Sequence, residues 1–139
     1  MQNKLTDRQR YNRLKKTAIM RNRAFWVEAE DYYYLNKHEY HKKHVGKSGR
    51  DSWAGWVGEI MDVPLSTVNF KTTLYKRYVI ELEIPIDILQ HIHTRKLQYA
   101  MKYIDKRNAA NILEIASNPD HADYYSFEGF KEYIKELYK

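Results

Sequence analysis

The chain has 139 residues, enough for one domain with a genuine core and too few for two comfortable ones. It has no cysteine, which excludes disulfides and thiolate zinc sites, and only five glycines and three prolines stand against thirteen tyrosines and three tryptophans. A sandwich or barrel needs turn residues roughly every ten positions, so this composition points to an all-α protein, a helical bundle.

Net charge is +6, and it is unevenly spread. Residues 1–50 carry 13 Lys/Arg against 5 Asp/Glu, whereas residues 51–139 carry 11 against 13. A basic half joined to a mildly acidic one points to a polyanionic partner for one end, with a solvated basic helix as the bland alternative. Neither a signal-peptide-like stretch nor a run of transmembrane length is present in the sequence, so a cytoplasmic location and no membrane partner are expected.

Residues 1–23 read as a basic N-terminal arm: Lys4, Arg8, Arg10, Arg13, Lys15, Lys16, Arg21 and Arg23 are opposed only by Asp7. Thr6 can cap a helix, and Tyr11, Leu14, Ala18 and Phe25 recur at helical intervals. The stripe is thin, so the arm is either helical or disordered until it binds. Residues 24–139 read as a single helical domain. Its first helix, over 24–44, puts Phe25, Ala29, Tyr32, Tyr33 and Leu35 inward, with a second apolar line through Trp26 and Val27.

The "GKSG" of residues 46–49 is the clearest loop, after which Asp51 or Ser52 caps a helix carrying Trp53, Trp56, Val57, Ile60 and Met61. Asp62-Val63-Pro64-Leu65 is a connector, and Ser66 is the expected cap of a helix reaching toward Leu82. "YVIELEI" could be a strand by its β-branching, but no partner strand is evident and it is taken as helical. Pro85 opens another helix through Ile88, Leu89, Ile92, Leu97, Ala100 and Ile104. A short helix follows over 105–116, ended by Ser117-Asn118-Pro119, and a last one spans 126–137. No internal repeat or low-complexity tract occurs.

The connector is where chemistry concentrates, within a helix-turn-helix expected at about 52–82. A recognition helix must show hydrogen-bonding groups in its first turns to reach base edges in the major groove. Here those turns hold Ser66, Thr67, Asn69, Lys71, Thr72 and Thr73, with Lys76 and Arg77 following as phosphate contacts. Asn pairs bidentately with adenine, and Ser and Thr serve most edges. Val57, Met61, Val63 and Val68 would lock the two helices together.

"WVGEIMDVPLSTVNFKTTLYKRY" resembles the helix-turn-helix of phage- and plasmid-borne DNA-binding proteins, where a W-x-x-E run precedes a long recognition helix. "IPIDILQHIHTRKLQYAMKYID" is similar to the supporting helix that follows in those proteins, so the likeness spans about residues 50–116. Asp62 stands where the connector often has Gly, and Lys71 where an apolar residue is usual. The resemblance implies a small sequence-specific or architectural DNA-binding protein of a phage or mobile element, serving regulation, packaging or partition. Duplex DNA is the expected partner, with a homodimer left open. The arm fits this reading, since Lys and Arg supply sequence-independent affinity. Two other classes stay open: a phage-type inhibitor or adaptor that binds a host protein through its basic arm, and an RNA-binding accessory protein.

Histidines offer the main route to catalysis. His38, His41 and His44 lie three apart and cannot all face one ion on a helix, so a solvated helix end is the simpler reading. His91 and His93, with Tyr99 and Tyr103, imitate the metal pair and nucleophilic tyrosines of rolling-circle nickases. On one helix, however, residues two apart diverge by about 200°. Tyr32, Tyr33 and Tyr34 read as a core-and-rim aromatic face. No triad, phosphate-binding glycine loop or paired-carboxylate site is evident. A non-enzyme without metal or cofactor is expected.

Overall fold

The computed structural model describes residues 4–44, 52–118 and 127–138. Among them the regular structure is entirely helical, in agreement with the all-α expectation. In chain order the elements are α1 (Asp7–Lys37), α2 (Trp53–Met61), α3 (Leu65–Tyr75), α4 (Ile86–Leu89), α5 (Thr94–Ala100), α6 (Ala109–Ser117) and α7 (Phe127–Leu137). A 3-10 turn at Tyr40–His44 follows α1, and a π-helical turn at Lys76–Glu81 continues α3. The expected loop at 46–49, a cap at Asp51, the stop at Pro119 and the helix start at Ser126 lie outside the described residues.

Helix α1 starts at a capping box. The Gln9 amide donates to Thr6 Oγ1 at 3.1 Å, and the Thr6 amide donates to Gln9 Oε1 at 2.8 Å. Neither glycine nor proline occurs between Thr6 and Lys37, so nothing breaks the helix at residue 23. Its 31 residues make a rod about 46 Å long. Residues 11–17 are exposed and burial sets in at Ala18. The inward register centres on Trp26, Ala29 and Tyr32, whereas Phe25, Tyr33 and Leu35 are only partly covered and Val27 is exposed. The two candidate stripes differ by one residue, and the larger Trp26 takes the central position.

Two apolar clusters flank α1. The larger joins Trp26 to Leu74, Tyr78, Leu89, Leu97, Ile112, Phe130 and Ile134. The smaller joins Tyr32 to Trp53, Trp56, Val57 and Val68. Edge-on rings dock α3 and its π-turn onto α1: Phe25 with Phe70 at 6.0 Å and Trp26 with Tyr78 at 6.2 Å. The π-turn shows in the Leu82 amide, which donates five residues back to the Arg77 carbonyl at 3.0 Å. "YVIELEI" is therefore helical as far as Glu81. Glu83, at φ 57°, then turns the chain so that both Leu82 and Ile84 are buried.

The helix expected to run on from Pro85 is instead broken around His91-Ile92-His93. His93 is extended, at ψ 132°, and its ring Nδ1 accepts the Arg95 amide at 3.0 Å. This side-chain bond competes with the helical ladder and restarts it as α5. Helix α6 begins at Ala109 rather than Asp105, because Asp105 Oδ1 takes the amides of Arg107 and Asn108 at 2.8 and 3.0 Å.

Candidate nucleic-acid interface

The hairpin of α2 and α3 is built from local rules. Ser52 caps α2 by accepting the Gly55 amide at 3.1 Å. The helix exits through Asp62 in the left-handed region, at φ 55° and ψ 46°, and the Val63 amide returns to the Gly58 carbonyl at 3.0 Å. Thus the position where glycine was noted as common does take the conformation glycine favours. Gly58 lets α2 touch its own connector: a Cβ there would lie 2.9 Å from the Val63 carbonyl oxygen.

Pro64, not Ser66, caps α3. Its extended ψ of 147° and its carbonyl, 3.0 Å from the Thr67 amide, start the helix at Leu65, which leaves Ser66 in the first turn facing solvent. Val57 and Val68 do lie together in the buried seam, with Val63 partly covered. Met61, expected in that seam, is 45% exposed, and Ile60 is 58% exposed, because the α2 core face is Trp53, Ala54, Trp56 and Val57.

Ser66, Asn69 and Thr73 on α3 and Lys76 at the start of the π-turn are exposed at spacings of three, four and three, a single outward stripe, and α3 itself contains no carboxylate. Other expected contacts turn inward. Thr67 is half-buried, and the Thr72 hydroxyl donates to the Val68 carbonyl at 2.8 Å. Lys71 Nζ lies 2.8 Å from Glu28 Oε2 and 5.2 Å from the centre of the Phe25 ring. Arg77 donates to the Ile104 carbonyl at 2.6 Å and to Glu81 at 3.1 Å. Lys71 thus ties α3 to α1, and Arg77 ties the π-turn to the segment after α5.

Burial pushes the Glu28 carboxyl up, but hydrogen bonds from Lys71 and Tyr32 and the Lys71 charge outweigh it and hold the group below its ordinary value. The Tyr32 hydroxyl, which donates to Glu28, is pushed up by burial and by that carboxylate.

On α1, Arg8, Arg13, Lys15, Lys16 and Arg21 are exposed and Arg10 is half-buried. They surround the helix rather than forming one stripe, so this end presents positive charge on all sides. Arg23 pairs with Asp87 at 2.7 Å and Gln90 at 3.0 Å, tying α1 to α4.

His38 is the exposed C-cap of α1, as expected, but His41, His91 and His93 fall otherwise than the sequence implied. His41 is buried in the 3-10 turn against Trp53 and Trp56, 5.8 and 6.5 Å away, rather than solvated at a helix end. His91 and His93 precede α5 instead of lying within a helix. Burial first, then Lys96, Arg21 and Arg95, pushes the His93 ring below its ordinary value. No group of three metal-ligating side chains converges among the described residues.

Tyr99 and Tyr103 pack together at 5.8 Å, and Tyr99 meets Phe127 at 6.3 Å. Arg95 lies 3.9 Å over Phe127, and Lys102 lies 4.9 Å over Tyr99. The sequence reading missed this cationic–aromatic patch. The alternation of Arg95, Tyr99, Lys102 and Tyr103 was its signal. Comparison with protein-family models, with curated proteins and with solved structures finds no match for this chain.

Proposed function

We propose that this chain is a small DNA-binding protein in which α2, the three-residue connector and α3 act as a helix-turn-helix, and the first turns of α1 act as a basic arm. The observation that carries the reading is the outward stripe of Ser66, Asn69, Thr73 and Lys76. Hydrogen-bonding side chains of this size reach base edges in a major groove, and the terminal lysine suits a phosphate. The left-handed Asp62 and the Gly58–Val63 approach support the tight turn that such a unit needs. Arg8, Arg13 and Lys16 supply the sequence-independent share of affinity.

A mobility-shift titration of duplex DNA, single strand and RNA at two salt concentrations tests this. Asn69→Ala should relax preference at one base pair by about 1–3 kcal/mol, while Arg13→Ala and Lys16→Ala weaken all duplexes alike and flatten the salt dependence. Unchanged preference in Asn69→Ala combined with Ser66→Ala removes α3 as the reading helix. A protein partner is the second reading. It is favoured by the exposed apolar Ile60, Met61 and Leu65 around the same connector, and it predicts that no duplex is selected.

A further inference from the structure

Where the basic turns of α1 meet the body, they overhang a cleft of about 520 Å³. Lys15 and Asn22 line it from α1, Gln90, His91 and His93 from the segment between α4 and α5, and Ser117 from the end of α6. No carboxylate lines it. The nearby Asp87 is already paired with Arg23 at 2.7 Å.

The donors are oriented. His93 Nδ1 accepts the Arg95 amide at 3.0 Å, so in the neutral ring the proton sits on Nε2, which is left to donate. Lys15 lines the cleft from α1 with its ammonium resting 4.6 Å over the Tyr11 ring, and its flexible stem can swing three N–H donors inward. The charged groups that act on His93 are Lys96 and Arg95 from α5 and Arg21 from α1, while Lys15, His91 and the neutral Ser117 share the cleft with it. All the charges among them are positive. Ala18, Ile19 and Ile88 give the cleft an apolar share as well, but its charges repel metal ions and favour an anion. A tetrahedral oxyanion meets both needs, charge and several donors from separate walls.

We propose that this cleft binds a phosphate group, and, resting on the DNA-binding reading, that the group is a backbone phosphodiester seated between α1 and the body. Burial first, and then the surrounding cations, hold the His93 ring below its ordinary value when the cleft is empty. A bound phosphate supplies the opposite charge and draws a second proton onto Nδ1, surrendering the Arg95 amide bond; with the charge pair outweighing that bond, phosphate affinity rises as pH falls through the range where His93 titrates. Each unit by which phosphate raises the ring's midpoint corresponds to tenfold tighter binding to the protonated form.

The test follows the His93 ring by NMR pH titration of the whole protein alone, with inorganic phosphate, and with a short duplex. Duplex affinity is measured in parallel between about pH 5.5 and 7.5. His93→Asn keeps a side-chain acceptor for the α5 cap, and the exposed Lys15→Gln leaves the fold alone. The expected result is an upward shift of the His93 midpoint with both probes, several-fold weaker duplex binding in Lys15→Gln, and a flattened pH dependence in His93→Asn. A shift with inorganic phosphate and none with duplex keeps the phosphate site and overturns its backbone occupant. A shift with phosphate where no duplex binds at all sinks the DNA reading while the cleft stands. Duplex binding that ignores both substitutions, with a His93 midpoint unmoved by either probe, overturns the cleft and leaves the DNA reading intact.

Discussion

Lys71 separates two roles that one lysine on α3 could play. As a DNA contact it would be dispensable for folding, but its ammonium lies 2.8 Å from Glu28 and its side chain is only 16% exposed. Lys71→Met keeps the apolar stem and removes the charge, leaving a Glu28 that is 27% exposed with the Tyr32 hydroxyl as its remaining partner. Breaking a fully buried pair costs about 3–5 kcal/mol and an exposed one about 0–1, so this mostly covered pair should cost about 2. Loss of the cation over Phe25 adds about 0.5–1 kcal/mol. For a chain of this size the sum lowers the melting temperature by roughly 6–12 °C.

The sign with pH follows from Glu28. Its carboxyl is held below the ordinary value in the folded state, so its contribution is complete above the ordinary carboxylate range and fades as pH falls through the folded value. The difference between wild type and Lys71→Met should therefore narrow on acidification. Glu28→Gln combined with Lys71→Met should cost less than the two changes added. Thermal melts at neutral and acid pH measure all of this. An unchanged melting temperature with weaker duplex binding would refute the assignment and return Lys71 to the DNA face.

Gly58→Ala should lower the unfolding free energy measured in urea by about 1–3 kcal/mol, because the new methyl falls 2.9 Å from the Val63 carbonyl; an unchanged midpoint means that α2 and its connector can part freely. Tyr78→Phe strips the Leu97 carbonyl of its buried hydroxyl donor and should cost about 1–3 kcal/mol in the same assay, with no loss refuting that bond. Glu83→Gly should raise the melting temperature, since glycine sits at φ 57° without the left-handed penalty; the net gain is roughly 0.5–1 kcal/mol after glycine's unfolded-state entropy. A fall instead would show that the Glu83 side chain holds a contact worth more than the strain.

The helical class, the Thr6 and Ser52 caps, and the placing of α2, α3 and α7 were legible because each rests on local periodicity and capping chemistry. The inward register of α1 was not: Phe25 and Trp26 start equally regular stripes, and only docking against Tyr78 decides between them. The break before α5 was hidden for another reason. Ile88, Ile92 and Leu97 keep a helix-like rhythm across it, and the interruption comes from one imidazole bonded to the Arg95 amide. On the candidate interface, Ser66, Asn69 and Lys76 are exposed, as the proposed contacts need, although Ser66 is not the cap its residue type suggested. Lys71 and Arg77 look identical to phosphate contacts in sequence, since their partners, Glu28 and the Ile104 carbonyl, lie 43 and 27 residues away.

The unbroken run of α1 from Asp7 to Lys37 has a consequence for the timing of order. An isolated helix of a dozen residues is marginal in water because its nucleus is costly. Here the nucleus is already present around Trp26, and the basic turns merely propagate from it toward Thr6. Amide exchange should therefore slow progressively from Arg8 to Trp26 instead of switching at a boundary. A polyanion meeting this end encounters a formed rod, aimed by the core, and the ordering entropy that a disordered tail must surrender on contact has been met during folding.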